Sequence, residues 1–226
     1  MTEQATIALH DVDALIFDLG GVILPLQYGA TVRSLSELFG ADASLLYGRL
    51  AQQPFFDAFE RGTIAANEFR RELRAKMLDV VPDARPAPQA LPTDRQLDDA
   101  WNALLLSIPE ENLELLIELK QQHRTFLLSN TNEIHLERFL SDFKETHPAR
   151  APFEQHFEHA HYSHLLKMRK PDHEIYQALL DRHGLTASRT VFIDDNPHNV
   201  AAAKQLGILA FEHTSNARLC ERFRLG

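Results

Sequence analysis

Five short apolar runs along the chain are typical of buried β-strands. Longer segments with a single apolar face separate the later runs, and this is the pattern of amphipathic helices. The runs cover Ala14–Ile23, Thr125–Ser129, Phe157–Tyr162, Thr190–Ile193 and Ile208–Phe211. Helices are predicted over Pro109–His123, Asp172–Gly184 and Asn199–Gly207. This alternation predicts an α/β fold in which helices cover both faces of a parallel sheet.

The stretch between the first two strands follows a different pattern. From Tyr28 to Ser107 only helical patterns and loops occur, over more residues than a crossover between parallel strands needs. Helices are predicted at Thr31–Phe39, Ala43–Leu50, Thr63–Leu78 and Thr93–Leu106, with a proline-rich loop at Val81–Pro92. We predict an all-helical cap, residues 27–107, inserted into a core formed by residues 1–26 and 108–226. The alternative is that these helices pack directly on the sheet.

The composition and charge of the chain disfavour several kinds of partner and cellular compartment. The chain has 226 residues, 44% of them hydrophobic, which is enough for one sizeable core with an insert. Its formal charge of -9 disfavours nucleic acid and anionic membrane surfaces as partners. The single cysteine allows no internal disulfide, and Met1–His10 lacks the basic start and apolar centre of a signal peptide. We therefore expect a cytoplasmic protein. The sequence does not predict an oligomeric state.

Asp18 ends the first apolar run and is followed by Gly20 and Gly21. An acid at the carboxyl end of a buried parallel strand lies where open α/β sheets build their active sites. Glycines at this point allow the backbone to approach a ligand closely. The alternative is an acid that only ends a strand.

Three further polar groups recur after apolar strands or before helices. Ser129-Asn130-Thr131 offers donors to a phosphate, although these residues are also common helix caps. In Arg169-Lys170-Pro171-Asp172 an ammonium can neutralise a phosphoryl group, and the alternative is a solvated basic pair. Asp194 and Asp195 follow a buried strand, so they repel each other unless a cation such as Mg²⁺ lies nearby; the alternative is an acidic surface turn.

Taken in this order, the four groups resemble the haloacid dehalogenase-like hydrolase superfamily over nearly the whole chain. Phe17-Asp18-Leu19-Gly20-Gly21-Val22 and Met168-Arg169-Lys170-Pro171-Asp172 look most like sugar-phosphate phosphatases with a helical cap, of the glucose-1-phosphate phosphatase type. The resemblance implies a Rossmann-like core. It also implies a Mg²⁺-dependent phosphatase that acts on a small phosphorylated metabolite, with sugar phosphates as candidates.

The resemblance also implies a role for each motif residue. Asp18 would attack phosphorus and form an aspartyl-phosphate, and Lys170 would neutralise charge. Phosphoryl oxygens would be held by Ser129, Asn130, Lys170 and Gly21. The Mg²⁺ ligands would be Asp18, the backbone carbonyl of Gly20, Asp194 and Asp195.

Gly20 is the one departure from the pattern. Most phosphatases of this superfamily carry an aspartate there, which protonates the leaving group and later activates water. Its absence predicts slow turnover of poor leaving groups, since general acid–base groups contribute ~10²–10⁴-fold. It leaves open a non-catalytic protein that binds a phosphometabolite. It also leaves open a haloacid dehalogenase, which would have little use for paired Asp194 and Asp195, and a phosphonatase, for which Lys76 is the only cap lysine.

Structural roles are predicted for the aromatic residues of the cap and for a cluster of histidines. Phe55, Phe56, Phe59 and Trp101 are predicted to form the core of the cap. His156, His159, His161 and His164 lie within nine residues of the chain, but on a strand His159 and His161 would lie on one face, and His156 and His164 on the other. A zinc site needs three or four convergent ligands, so these are predicted to be ordinary strand and loop histidines.

Overall fold

Five parallel strands form one sheet in the computed structural model, which describes residues 7–40, 53–80, 91–214 and 218–223. They are β1 (Ala14–Phe17), β2 (Arg124–Ser129), β3 (His159–Tyr162), β4 (Thr190–Asp194) and β5 (Leu209–Glu212), in the order β3-β2-β1-β4-β5. The chain runs outward from the central β1 to one side and then to the other. Ligands of open α/β sheets bind at the carboxyl ends of strands where the order reverses in this way. The predicted α/β fold with a parallel sheet is confirmed.

The α-helices divide into those that precede β2 and those that cover the sheet. In chain order they are α1 (Tyr28–Phe39), α2 (Pro54–Glu60), α3 (Ala66–Val80), α4 (Asp94–Asn102), α5 (Glu110–Gln122), α6 (Glu133–Thr146), α7 (Ser163–Leu166), α8 (His173–His183) and α9 (Pro197–Gln205). Short 3₁₀ turns lie at Phe153–His156, Ala187–Arg189 and Leu219–Arg222.

Both faces of the sheet are buried by helices. Successive side chains of a strand point to opposite faces, so Leu15 and Phe17 join one apolar cluster while Ala14 and Ile16 join the other. Helices α5 and α6 cover the first face, and α8 and α9 cover the second. Each fully buried Leu, Ile or Phe contributes roughly 1.5–3 kcal/mol, so these two layers hold the strand ends in fixed positions.

Helices α1 to α4 share an apolar cluster of their own. Phe59 of α2 stacks on Phe69 of α3, with ring centroids 4.2 Å apart, and Trp101 of α4 lies against the same ring. Phe55 and Phe56 pack against this cluster, which also receives Ile134 from α6. We call helices α1–α4 with their connections the helical unit. The four aromatic residues lie where the sequence predicted, whereas the division at residues 26/27 and 107/108 stays a prediction.

Several boundaries differ from the predictions. Strand β1 stops at Phe17 because the chain then turns, with the Leu19 carbonyl accepting from the N–H groups of Ile23 and Leu24. Helix α3 begins at Ala66 instead of Thr63, whose hydroxyl donates to the carbonyl of Ala58. Helix α6 was not predicted at all. The predicted helix at Ala43–Leu50 lies outside the described residues, as does most of the loop at Val81–Pro92.

Candidate active site

Asp18 lies directly beyond β1, at the carboxyl edge of the sheet. Phe17 pairs with Leu127 of β2 and with Ile193 of β4, so the next residue, Asp18, is level with Asp194. The Asp18 side chain is largely buried, and its Oδ1 accepts a hydrogen bond of 2.7 Å from the N–H of Leu19. The strand register therefore brings two carboxylates together that are far apart in sequence.

Lys170 joins these two carboxylates. Its Nζ lies 2.9 Å from Oδ1 of Asp18 and 2.6 Å from Oδ2 of Asp194, and its side chain is 0% exposed. Asp194 also accepts from Nδ2 of Asn199 at 3.0 Å and from the N–H of Asn196 at 2.8 Å. A buried ammonium is tolerated only when it is paired and hydrogen-bonded. The alternative interpretation of Lys170, a solvated basic residue, is wrong.

Asp18, Asp194 and Asp195 form a group that fits a divalent cation, since each offers an oxygen and these atoms lie within 4.8 Å of one another. Burial raises the pKa of Asp18 to about 8, with the Asp194 charge adding to it and the Lys170 ammonium opposing it. Burial, together with the Asp194 charge, raises the pKa of Asp195 to about 6. Burial lowers the pKa of Lys170, but the two carboxylates outweigh it and raise that pKa. One ammonium leaves negative charge uncompensated, which a hard cation with oxygen ligands would neutralise.

A side chain would meet a different obstacle at each of the two glycines that follow Asp18. Gly21 has φ of 75°, and a Cβ there would lie 2.2 Å from Oδ2 of Asp195. Gly21 therefore permits the close approach of the third carboxylate. Gly20 lies outside the positive-φ region, and a Cβ there would meet only the methyl end of Leu26, at 2.7 Å. A side chain at residue 20 thus needs a shift of one flexible leucine and no change of backbone.

Ser129 is the buried last residue of β2, and Asn130 follows it at the same edge of the sheet as Asp18. The Asn130 side chain bonds the backbone of Lys170 in both directions, accepting from its N–H at 2.9 Å and donating to its carbonyl at 2.8 Å. Asn130 thus fixes the position of the lysine, a role that the sequence did not predict. Ser163 was also missed; its Oγ accepts from the N–H of Thr131 at 2.9 Å and donates to the Thr131 carbonyl.

Charged side chains attach the helical unit to the core near the lysine. Arg169 pairs with Glu60, and Arg61 lies 2.7 Å from Asp172. Lys167 donates to the carbonyl of Gly62 at 2.5 Å. The backbone also approaches closely here, since a Cβ on Gly62 would lie 2.3 Å from the carbonyl oxygen of His164.

A second contact between the helical unit and the core lies at His135 of α6. Its ring stacks on Trp101, with centroids 5.1 Å apart and 9° between the planes, and its Nδ1 lies 2.7 Å from Oδ1 of Asn102. Burial lowers the pKa of His135 to about 3, so the ring is neutral near pH 7. The contact is therefore aromatic and uncharged, unlike the ion pairs around Arg61.

Comparisons with known proteins place the chain in a family. A model of the family described as haloacid dehalogenase-like hydrolase matches residues 12–207. The chain belongs to that family. The match spans β1 to β4 and the motif segments described above, and it confirms the prediction of a hydrolase. Among the described residues, no helix is both long and apolar enough to cross a membrane.

Two curated relatives are phosphatases. The chain is 26% identical over 203 residues to a D-ribitol-5-phosphate phosphatase of Bacteroides thetaiotaomicron, covering 90% of this chain and 92% of that one. It is 27% identical over 216 residues to a sesquiterpene phosphatase of Aspergillus oryzae, covering 93% and 94%. A family enzyme of B. thetaiotaomicron, solved with magnesium and inorganic phosphate, is 28% identical, with a TM-score of 0.79 over 94% of this chain and 100% of that one. The phosphatase and magnesium predictions are confirmed at the level of these relatives.

Proposed function

We propose that the protein is a Mg²⁺-dependent phosphatase that hydrolyses a small phosphorylated metabolite through an aspartyl-phosphate on Asp18. The observation that carries the proposal is the buried Lys170, whose Nζ contacts both Asp18 and Asp194 beside the third carboxylate, Asp195. This arrangement provides a nucleophile, a cation for phosphoryl charge and oxygen ligands for a metal. A haloacid dehalogenase would have little use for Asp194 and Asp195 together.

The reaction has two steps in this proposal. A carboxylate oxygen of Asp18 attacks phosphorus, the P–O bond to the metabolite breaks, and the departing oxygen takes a proton from water. Water then attacks the aspartyl-phosphate, releasing inorganic phosphate and restoring the Asp18 carboxylate. Mg²⁺ would supply charge stabilisation at the phosphoryl oxygens and keep Asp18 ionised.

Each neighbouring residue then has a task. Lys170 neutralises the phosphoryl oxygens and orients Asp18, since its ammonium already lies 2.9 Å from the attacking carboxylate. Asn130 holds the lysine backbone, so its contribution to phosphate binding comes from its own backbone N–H together with the Ser129 hydroxyl and Gly21. The metal ligands are Asp18, the carbonyl of Gly20, Asp194 and Asp195.

The substrate class follows from the relatives and from Gly20. The D-ribitol-5-phosphate phosphatase supports phosphorylated polyols and sugars as substrates. The resemblance to the glucose-1-phosphate phosphatase type supports anomeric sugar phosphates, whose leaving group departs more easily. Because residue 20 has no acid, we expect acyl, aryl and anomeric phosphates to react faster than simple alkyl phosphates.

The experiment is a screen of phosphorylated metabolites, with and without Mg²⁺, on the wild type and Asp18→Asn. The amide is nearly isosteric but a poor nucleophile, so turnover should fall on the order of 10⁴-fold or more while the fold is retained. Hydrolysis that persists in Asp18→Asn, without deamidation, would exclude Asp18 as the nucleophile. Undiminished Mg²⁺ affinity in both Asp194→Ala and Asp195→Ala, measured by calorimetry, would exclude this metal site.

The second candidate is a protein that binds a phosphometabolite without turning it over. The observation that favours it is the side chain of Leu26, which lies where an acid at residue 20 would begin. Mg²⁺-dependent binding of a phosphate analogue, with no hydrolysis even of acetyl phosphate, would support this candidate over the phosphatase.

A further inference from the structure

Three imidazoles and a carboxylate meet at the outer edge of the sheet. Strand β3 is the edge strand, and alternation places His159 and His161 on the same face, toward α8. His183, the last residue of α8, completes the group, with its ring centroid 4.8 Å from that of His159 and 5.0 Å from that of His161. The sequence suggested ordinary histidines because it did not reveal this third ring.

Glu158 supplies the oxygen. Glu158, His159 and His183 each offer one ligand atom, and these atoms lie within 4.8 Å of one another. Glu158 and His159 are exposed and His183 is half-buried, so the group is accessible to an ion from solvent. His161 is buried behind them, and its Nε2 lies 2.8 Å from Nε2 of His183. Metal-ligating histidines are oriented in this way by a partner on the other ring nitrogen.

The surrounding charges decide which class of ion fits. Both oxygens of Glu158 accept hydrogen bonds from Arg124, at 2.6 and 2.9 Å, which leaves further lone pairs on each oxygen. The nearby guanidinium disfavours ions held by charge alone, such as Mg²⁺ and Ca²⁺. Imidazole ligands instead favour Zn²⁺ and its neighbours Ni²⁺ and Cu²⁺. Burial lowers the pKa of His183, and it lowers that of His161 to about 4, so both rings are neutral near pH 7.

We propose that Glu158, His159 and His183 form a binding site for a zinc-type transition-metal ion, with His161 orienting His183. The site joins the edge strand to the end of α8 that is distant from Lys170, since that helix is roughly 16 Å long. Its occupation is independent of the proposed phosphatase site. A bound ion stabilises the folded state, because two of its ligands come from different secondary-structure elements.

The test is calorimetric titration of the full chain with Zn²⁺ in excess Mg²⁺, which competes with Zn²⁺ for the carboxylates of Asp18, Asp194 and Asp195. The wild type should bind one Zn²⁺ and melt at a higher temperature with Zn²⁺ than without it. His159→Ala and His183→Ala should each lose that ion. His173→Ala is the matched control, an exposed histidine at the first position of α8, and it should bind Zn²⁺ like the wild type.

Three outcomes would overturn the proposal. They are the absence of Zn²⁺ binding in the wild type, retention of the ion in both site variants, and an equal loss in His173→Ala. If His183→Ala is unstable, the exposed His159→Ala decides alone. Phosphatase activity does not enter this measurement, so the site can fail while the proposed reaction stands, and the converse also holds.

Discussion

The two regions that meet at Lys170 both use ion pairs, but in different surroundings. In the candidate active site, the Lys170 side chain is 0% exposed and bridges Asp18 and Asp194. In the contact with the helical unit, the side chains of Arg61 and Asp172 are 24% and 44% exposed. Removing one partner of a buried pair costs about 3–5 kcal/mol, whereas an exposed pair contributes about 0–1 kcal/mol. Burial therefore fixes the cluster, while the helical unit is attached weakly by the same chemistry.

The largest expected effect is that of Lys170→Met. Without Mg²⁺ it should lower the free energy of unfolding by about 3–5 kcal/mol, because it leaves Asp18 and Asp194 buried without a cation. Urea unfolding with and without Mg²⁺ measures this, and Mg²⁺ should restore part of the loss. Lys167→Met, which removes only the exposed bond to Gly62, is the control and should cost less than about 1 kcal/mol. Equal stabilities of the two variants would contradict the expected difference between the buried and the exposed lysine.

Gly20→Asp tests whether the site lacks only its acid. The backbone there accepts a side chain, and the obstacle is the methyl end of Leu26, so the substitution should fold. Hydrolysis of alkyl phosphates should rise by up to ~10²–10⁴-fold, with less gain for aryl and acyl phosphates. Steady-state rates across a series of leaving groups give, for each variant, the slope of the logarithm of the rate against the pKa of the leaving group. Gly21→Ala is the contrasting variant, since its methyl group would collide with Asp195 and activity should fall. If the wild-type rate does not depend on the pKa of the leaving group, protonation of the leaving group does not limit turnover.

The uncharged contact at His135 predicts sensitivity to acid. Its folded-state pKa, about 3, is below the ordinary value of ~6.5 for an unfolded histidine, so its stabilising effect is complete above pH 6.5. That effect is lost as pH falls toward 3, by up to about 1.4 kcal/mol per pH unit. Unfolding monitored by Trp101, the only tryptophan, measures the slope. His135→Gln should show a shallower decline between pH 6.5 and 4, and an identical decline would contradict the assignment.

Arg61→Ala should have the smallest effect. We expect a loss of less than about 1 kcal/mol in the free energy of unfolding, reduced further in high salt. A double-mutant cycle with Asp172→Ala isolates the pair. A coupling energy as large as that of Lys170 with Asp194 would contradict the view that this exposed pair is weaker than the buried one.

The sequence predicted the sheet and the polar edge of the site because both depend on local patterns. Buried strands are apolar runs in the sequence. Polar residues directly after parallel strands lie at the carboxyl edge of the sheet. Helix α6 was missed although its sequence carries a helical stripe, since Leu136, Phe139, Leu140 and Phe143 recur at i, i+3, i+4 and i+7 and pack on the first face of the sheet. The role of Asn130 depends on which backbone lies opposite it in the folded chain. The position of His183 beside β3 likewise depends on packing between distant segments, which no spacing in the sequence reveals.

Gly62 lies at the closest contact between the helical unit and the core. The ion pairs around Arg169 contribute to holding the helical unit, whereas the contact of Gly62 with the carbonyl of His164 limits how near it can come. The spacing is thus limited by a steric stop between two backbones, with no room for a single methyl group. Because Gly62 also has φ of 60°, Gly62→Ala would strain its own backbone in addition to pushing the helical unit away from His164.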